Sequence, residues 1–304
     1  MKRRTLEVGP RGAGRSVEQI LRSELEVSPR EAGGLVERGA VYVDGRRCRD
    51  GGARLRAGQK VTVVLEESGA ASVEAAPAMA PLVVLYEDEA LIALDKPAGL
   101  PAQPTPGGAP NLLGLVSERL GREAGLVHRL DRETSGVTVF GKTAASTREL
   151  AGRFREGTAR KRYLAAVRPG VLAPAGRIDL PISKDPSRPG RYRATRAANG
   201  VPALTEYVRL FQSEDHALVS LSPRTGRTHQ LRAHLTALGC PIAGDRRYGG
   251  QEAVAGAPVE RCLLHAHALA ISRGGKDHLF IAPLPADLAR VFEADGVRPP
   301  EGPP

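Results

Sequence analysis

The hydrophobic positions of this chain follow helical spacing in a short N-terminal stretch and strand-like patterning through most of the remainder. Ser16 and Gln19 form a capping-box pair around Val17, Ile20, Leu21 and Leu25, which share one helical face, so a helix is predicted over Val17–Leu25. Ser28, Pro29 and Glu31 open a second helix that runs to about Arg38 and is weakened by Gly33 and Gly34. VYVDGRR then reads as a strand entering an Asp44-Gly45 turn, and KVTVVL as a strand rich in β-branched residues.

Beyond the Ala- and Pro-rich stretch Ser68–Pro81, short strands alternate with a few helices. Val137–Phe140, Tyr163–Val167, Leu204–Leu210 and Ala217–Leu221 read as strands, with a hairpin around Gln212–His216. Helices are predicted at Leu112–Leu120, Ala144–Phe154 and His229–Leu238, the last closed by Gly239. This pattern predicts an α+β fold with a mixed, largely antiparallel sheet, preceded by a small α+β domain. The expected organisation is an N-terminal arm at 1–14, a small domain at 15–67, a linker at 68–81, a large domain at 82–290 and a disordered tail at 291–304.

Composition narrows the partner. Lys and Arg number 44 against 34 Asp and Glu, a formal net charge of +10 that attracts polyanions and makes nucleic acid the expected partner. GC-rich codon usage accounts equally well for the abundance of Arg, Ala, Gly and Pro. Three isolated cysteines, Cys48, Cys240 and Cys262, form no CxxC pair, which argues against a disulfide framework and a zinc site and suits a reducing compartment. No run approaches the roughly 18 apolar residues of a membrane span, and none follows the basic N-terminus, so a soluble cytoplasmic protein is expected.

Candidate chemistry concentrates in HRLDRETSG, His128–Gly136, where one acid, Asp131, lies between Arg129 and Arg132 and is followed by Thr134, Ser135 and Gly136. Nearby positive charge favours an ionised carboxylate, which can act as nucleophile or general base. On spacing alone, an acid between two arginines is more often a surface ion pair. Gly136–Thr143, GVTVFGKT, also satisfies the phosphate-loop pattern, but Val137, Thr138, Val139 and Phe140 are strand formers where that loop needs flexible backbone. A kinase reading of His128, Arg129 and Asp131 fails on residue order and on the lack of DFG and APE sequences. His229 and His234 are five apart, and His265 and His267 have no carboxylate at ligand spacing, so no metal site is expected.

The nonamer resembles the catalytic motif of the RluA-type pseudouridine synthases, in which the aspartate attacks the target uridine. The resemblance runs from about Leu82 to Asp287. VVLYEDEALIALDKPAGLPAQPT (Val83–Thr105) is similar to the family's opening motif, two strands leading to a turn at Lys96–Gly99. RKRYLAAV (Arg160–Val167) is similar to the second motif, where the tyrosine, here Tyr163, lies against the target base. SPRTGRTHQLRAHLTALGCPIAGDRRYG (Ser222–Gly249) is similar to the third, whose arginine, here Arg232, is the ion-pair partner of the catalytic aspartate. LLHAHALAI (Leu263–Ile271) resembles the closing strand. Residues Arg15–Leu65 resemble the small S-four RNA-binding domain, whose basic residues correspond to Arg30, Arg38, Arg46 and Arg47.

The resemblance implies a pseudouridine synthase fold and an isomerisation that breaks the bond from ribose to base nitrogen, turns the uracil and rejoins it through carbon. The product is an isomer, so no cofactor or metal is required. Asp131 would attack, held by Arg232, with Tyr163 stacking on the uracil, although an aromatic there is equally at home in a core. Arg129 would fill the space left by the extruded base, Arg227 would meet RNA phosphate beside His229, and Lys96 and His128 would support the loops. Whether the carboxylate attacks the anomeric carbon or the base, or takes a sugar proton, stays open. The expected substrate of this expected monomer is structured RNA, with large-subunit ribosomal RNA ahead of transfer RNA. A non-catalytic RNA-binding or ribosome-assembly factor is the alternative, against which the set Asp131, Tyr163 and Arg232 argues.

Overall fold

The computed structural model describes residues 2–25, 27–37, 40–48, 50–65, 82–105, 109–170, 172–196 and 200–304. They fall into two compact units, one N-terminal and one large.

In the N-terminal unit the helix Val17–Leu25 forms as predicted. The Ser16 N–H donates to Gln19 Oε1 at 2.9 Å, and the Gln19 N–H donates to Ser16 Oγ at 3.2 Å. Ser28 and Glu31 repeat this device ahead of Pro29–Glu37. Val17, Ile20 and Leu21 pack with Ala32, Leu35 and Val36 and with Val41, Val61 and Val63 of the sheet to make a small closed core. Asp44 and Gly45 take positive φ of 48° and 77°, the left-handed turn that joins Val41–Val43 to Arg46–Arg47.

The expected N-terminal arm is, from Lys2, part of this sheet. Lys2–Glu7 pairs antiparallel with Lys60–Leu65, giving the order Lys2–Glu7, Lys60–Leu65, Val41–Val43, Arg46–Arg47. That pairing is made by main-chain groups, so KRRTLE, whose one apolar residue is Leu6, carries little side-chain signal for it. Arg30 lies on the second helix, and Arg46 and Arg47 on the edge strand; Arg38 and the linker at 68–81 lie outside the described residues.

The large unit is built on a ten-stranded sheet. Its main path runs Ala175–Asp179, Leu204–Gln212, Ala217–Pro223, Arg160–Val167, Leu264–Arg273, Ser135–Gly141, Leu91–Lys96, Val83–Glu87. Neighbours pair antiparallel except at Leu264–Arg273 with Ser135–Gly141, where His265 faces Ser135 and Ala266 faces Gly136 in parallel. At this contact Gly136 has a φ of 111°, and a Cβ there would stand 2.2 Å from the Ala266 carbonyl oxygen, so a glycine is required.

Every position of Ser135–Gly141 is buried, which removes the phosphate-loop reading by geometry. Lys142 pairs with Glu87 at 2.8 Å, and Thr143 caps the helix Ala144–Arg155, its Oγ1 accepting the Ser146 N–H at 3.1 Å. The third predicted helix runs over Gln230–Ala237, one residue shorter at each end, and is followed by Gly239 at a φ of 75°.

The expected disordered tail is a helix in its first part. Ala286–Ala294 buries Leu288, Val291 and Phe292 on one face, and beyond it Arg162 donates to the carbonyls of Pro300, Gly302 and Pro303 at 3.2, 3.1 and 2.9 Å. Apolar spacing in the helix and a guanidinium that satisfies carbonyls of a proline-rich segment override the compositional signal for disorder.

Candidate active site

Asp131 sits in the loop that feeds into Ser135–Gly141, and the backbone around it is pinned from several directions. Lys96 Nζ donates to the carbonyls of Pro97 and Leu100 at 2.9 Å and of Arg132 at 3.0 Å. The Gly99 N–H and the Arg132 carbonyl meet at 2.9 Å, Arg132 Nε returns a bond to the Gly99 carbonyl at 2.9 Å, and Arg261 Nη1 reaches the Glu133 carbonyl at 3.3 Å. On the other flank His128 stacks on Phe154 with ring centroids 4.4 Å apart, and its Nε2 accepts the Val139 N–H at 3.0 Å.

Lys96 is fully buried and does not line the cleft that holds Asp131, so it cannot bind substrate there; its ammonium closes the Lys96–Gly99 turn onto the Asp131 loop. Burial pulls its pKa down to about 8 against the opposing charges of Glu133 and Asp131. Burial likewise takes His128 down to about 3, helped by the charge of Lys161.

The carboxylate itself is met by Arg232, which arrives 101 residues later on Gln230–Ala237. Arg232 Nη1 donates to Asp131 Oδ2 at 3.1 Å, while Nε and Nη2 make a bidentate pair with Asp245 at 2.6 and 2.8 Å. Asp245 is buried, and the Tyr248 ring lies 4.8 Å from the Arg232 guanidinium carbon. Burial alone would lower the Arg232 pKa; the bonds to Asp245 and the charges of Asp245 and Asp131 together raise it. Neither sequence neighbour of Asp131 does this work. Arg129 reaches Thr228 Oγ1 at 3.5 Å and Arg132 lies 3.7 Å from Glu133, so the positive charge at Asp131 is supplied across the fold. Among the described residues, Asp131 Oδ1 has no hydrogen-bond partner.

His229 precedes the helix in left-handed backbone, with a φ of 54°. Its Nε2 is 3.9 Å from Asp131 Oδ2 and its Nδ1 is 3.0 Å from the Tyr248 hydroxyl, which accepts the Tyr192 N–H at 2.9 Å. Gln230 shapes the adjoining turn, its Oε1 accepting from Thr225 Oγ1 at 2.7 Å and the Arg227 N–H at 3.0 Å. Tyr163 packs partly into the core below, and burial followed by the charge of Asp131 raises its pKa. Asp131, Tyr163, Arg232, Arg129, Arg227 and Lys161 therefore line one cleft.

Asp245, Tyr248 and Lys161 are the residues that sequence reasoning passed over. All three lie inside the segments quoted above, but no helical or strand spacing links residue 245 to residue 232. The other histidines weighed as metal ligands are occupied. His234 bonds Thr205 Oγ1 at 2.9 Å and the Leu180 carbonyl at 2.8 Å, while His265 and His267 both engage the Ala282 carbonyl, at 3.3 and 3.0 Å.

With this geometry in place, the chain can be set beside known proteins. The family described as RNA pseudouridylate synthase matches residues 90–237, and the S4 domain matches residues 18–61. The dual-specificity RNA pseudouridine synthase RluA of Escherichia coli (strain K12) is 43% identical over 213 residues, covering 68% of this chain and 94% of that protein. The ribosomal large subunit pseudouridine synthase D of Nitrosomonas europaea is 38% identical over 227 residues, 70% of this chain and 65% of that one. The solved structure of human RNA pseudouridylate synthase domain containing 4 aligns with a TM-score of 0.61 at 28% identity, over 72% of this chain and 95% of its own.

Proposed function

Because this chain belongs to the RluA family of RNA pseudouridine synthases, which isomerise uridine to pseudouridine in RNA, and carries an S4 domain at its N-terminus, we propose that its substrate is ribosomal RNA and its nucleophile Asp131. The observation that carries the assignment is the bridge from Asp245 through Arg232 to Asp131. A bidentate partner inside the protein leaves Arg232 little freedom, so its third nitrogen, Nη1, fixes Oδ2 of the nucleophile and leaves Oδ1 for attack.

In the reaction the ribose C1′–N1 bond breaks, the uracil turns, and a C1′–C5 bond forms; the proton lost from C5 is balanced by one gained at N1. The target base leaves its stack to reach Asp131, with Tyr163 beneath it and Arg129, exposed at the mouth, filling the space it vacates. Arg227, also exposed and lining the cleft, meets backbone phosphate. The N-terminal unit contributes grip on structured RNA through Arg30, Arg38, Arg46 and Arg47, which favours a ribosomal target over a small hairpin. Among the described residues no helix is long and apolar enough to cross a membrane, and a monomer acting in the cytoplasm completes the reading.

The deciding experiment is replacement of Asp131 by Asn followed by pseudouridine mapping on large-subunit ribosomal RNA. Loss of modification with retained RNA binding supports the assignment; a variant that still modifies RNA defeats it.

A further inference from the structure

Past Tyr163 the cleft opens into a second, more basic cavity that shares Arg129, Lys161, Tyr163 and Arg227 with it. Arg155, Arg224 and His128 add to its lining, and Glu156 is its one acid. Arg224 is already paired with Glu206 at 2.7 Å. Lys161 stands where the two cavities meet, on the strand Arg160–Val167 two residues before Tyr163 and so on the same face.

The partners of this lysine set it apart. Its Nζ has one long hydrogen bond, to the Thr225 carbonyl at 3.4 Å, and among the described residues no carboxylate lies within 4.0 Å of it. Lys96, by contrast, has three carbonyls at 2.9 to 3.0 Å, and Lys142 has Glu87 at 2.8 Å. Burial lowers the Lys161 pKa to about 8, and no neighbouring charge is there to restore it. A cation withdrawn from water without an anion is an unfavourable arrangement by itself, and an anionic ligand resolves it. The guanidinium groups of Arg129, Arg155 and Arg227 at the rim are exposed and solvated, and they add positive charge that attracts the same ligand.

We propose that Lys161 anchors a phosphate subsite, in which the second cavity holds the phosphodiester of a nucleotide adjacent to the target uridine while the uridine itself occupies the cleft beside Asp131 and Tyr163. The proposal rests on the synthase reading of that cleft. A phosphate here accounts for the unpaired ammonium and the basic rim together, and it supplies a fixed point from which the target nucleotide is swung into the cleft.

A thio-free single-charge probe tests it. Methylphosphonate linkages, which delete one phosphate charge, are stepped through the positions flanking the target uridine of a model RNA, and KM and kcat are measured for wild type, Lys161→Met and Lys161→Arg. One linkage raises the wild-type KM by about ten-fold, Lys161→Met raises it equally with kcat nearly unchanged, and the combination adds nothing further. Lys161→Arg recovers most of the affinity, and the melting temperature of Lys161→Met does not fall, because the methionine keeps the stem and removes the unpaired charge. Additive effects, an unchanged KM in Lys161→Met, or a fall in kcat alone overturns the subsite, the last placing the ammonium on the base instead. A wild type that modifies no uridine defeats the synthase reading first; affinities of the same RNAs for Asp131→Asn and for Asp131→Asn with Lys161→Met then still decide the subsite.

Discussion

Arg232 and Lys161 line the same cleft and are opposite in kind. Arg232 has its counter-ions inside the protein, Asp245 on two nitrogens and Asp131 on the third, whereas Lys161 has one long bond to a carbonyl. A buried charge paired within the fold is committed to geometry: it holds its partner in one place, and removing it leaves the partner exposed to the same desolvation penalty. A charge left unpaired at a cavity wall is available to whatever enters. On the proposed assignments, the difference separates the residue that aims the nucleophile from the one that meets RNA.

The largest effect is expected at the group the paired arginine aims. Asp131→Asn lowers the rate of pseudouridine formation by more than about a thousand-fold while RNA affinity stays near wild type, as single-turnover assays and filter binding report. Comparable residual activity removes the nucleophile assignment and with it the reason for the paired cation.

Next comes the pair itself. Arg232→Met leaves the Asp245 carboxylate buried without a cation, a loss of about 3 to 5 kcal/mol that lowers the melting temperature by roughly 10 °C and slows the chemical step together. Arg232→Lys fails to rescue, since an ammonium cannot make the bidentate contact and reach Asp131 at once. A thermally stable Arg232→Met would erase the contrast with Lys161→Met.

Acid stability gives a smaller, separable signal. His265 is buried with Nδ1 3.0 Å from Ser135 Oγ at the foot of the Asp131 loop, and burial holds its pKa at about 4. The unfolded imidazole takes its proton near pH 6.5, so stability present above that pH is lost as the pH falls towards 4, by an amount on the order of 3 kcal/mol. Urea melts at pH 7 and pH 4.5 should show this slope in wild type and a flatter one in His265→Asn. A wild-type stability that is level over this window contradicts a neutral buried His265.

The smallest effect belongs to the rim. Arg227→Ala weakens RNA binding nearly uniformly across sequences and reduces the slope of log affinity against log salt by about one, with kcat preserved. A large loss of kcat instead would move Arg227 from the rim to the reacting centre.

The helices of the N-terminal unit and three of the large one were legible in the sequence because their caps and apolar spacing are local: Ser16 with Gln19, Ser28 with Glu31 and Gly239 act within one turn. Lys2–Glu7 escaped because main-chain pairing needs no side-chain pattern, and the last helix escaped because a proline-rich composition hid the spacing of Leu288, Val291 and Phe292. At the candidate site the motif around Asp131 stood out, but its flanking arginines pointed to the wrong source of positive charge.

Sequence alone determined the motifs from which the proposed catalytic residues are drawn, since the identity and order of HRLDRETSG, the tyrosine motif and the THQLR stretch are properties of the string. Tertiary structure decided which of them meet. Asp245 became the anchor of Arg232, Lys96 a sealed clamp and Lys161 an unpaired cation only when segments up to 101 residues apart were brought together by the sheet. Pairing, burial and the loss of water that give a charge its role are properties of a place, and a place exists only in the folded chain.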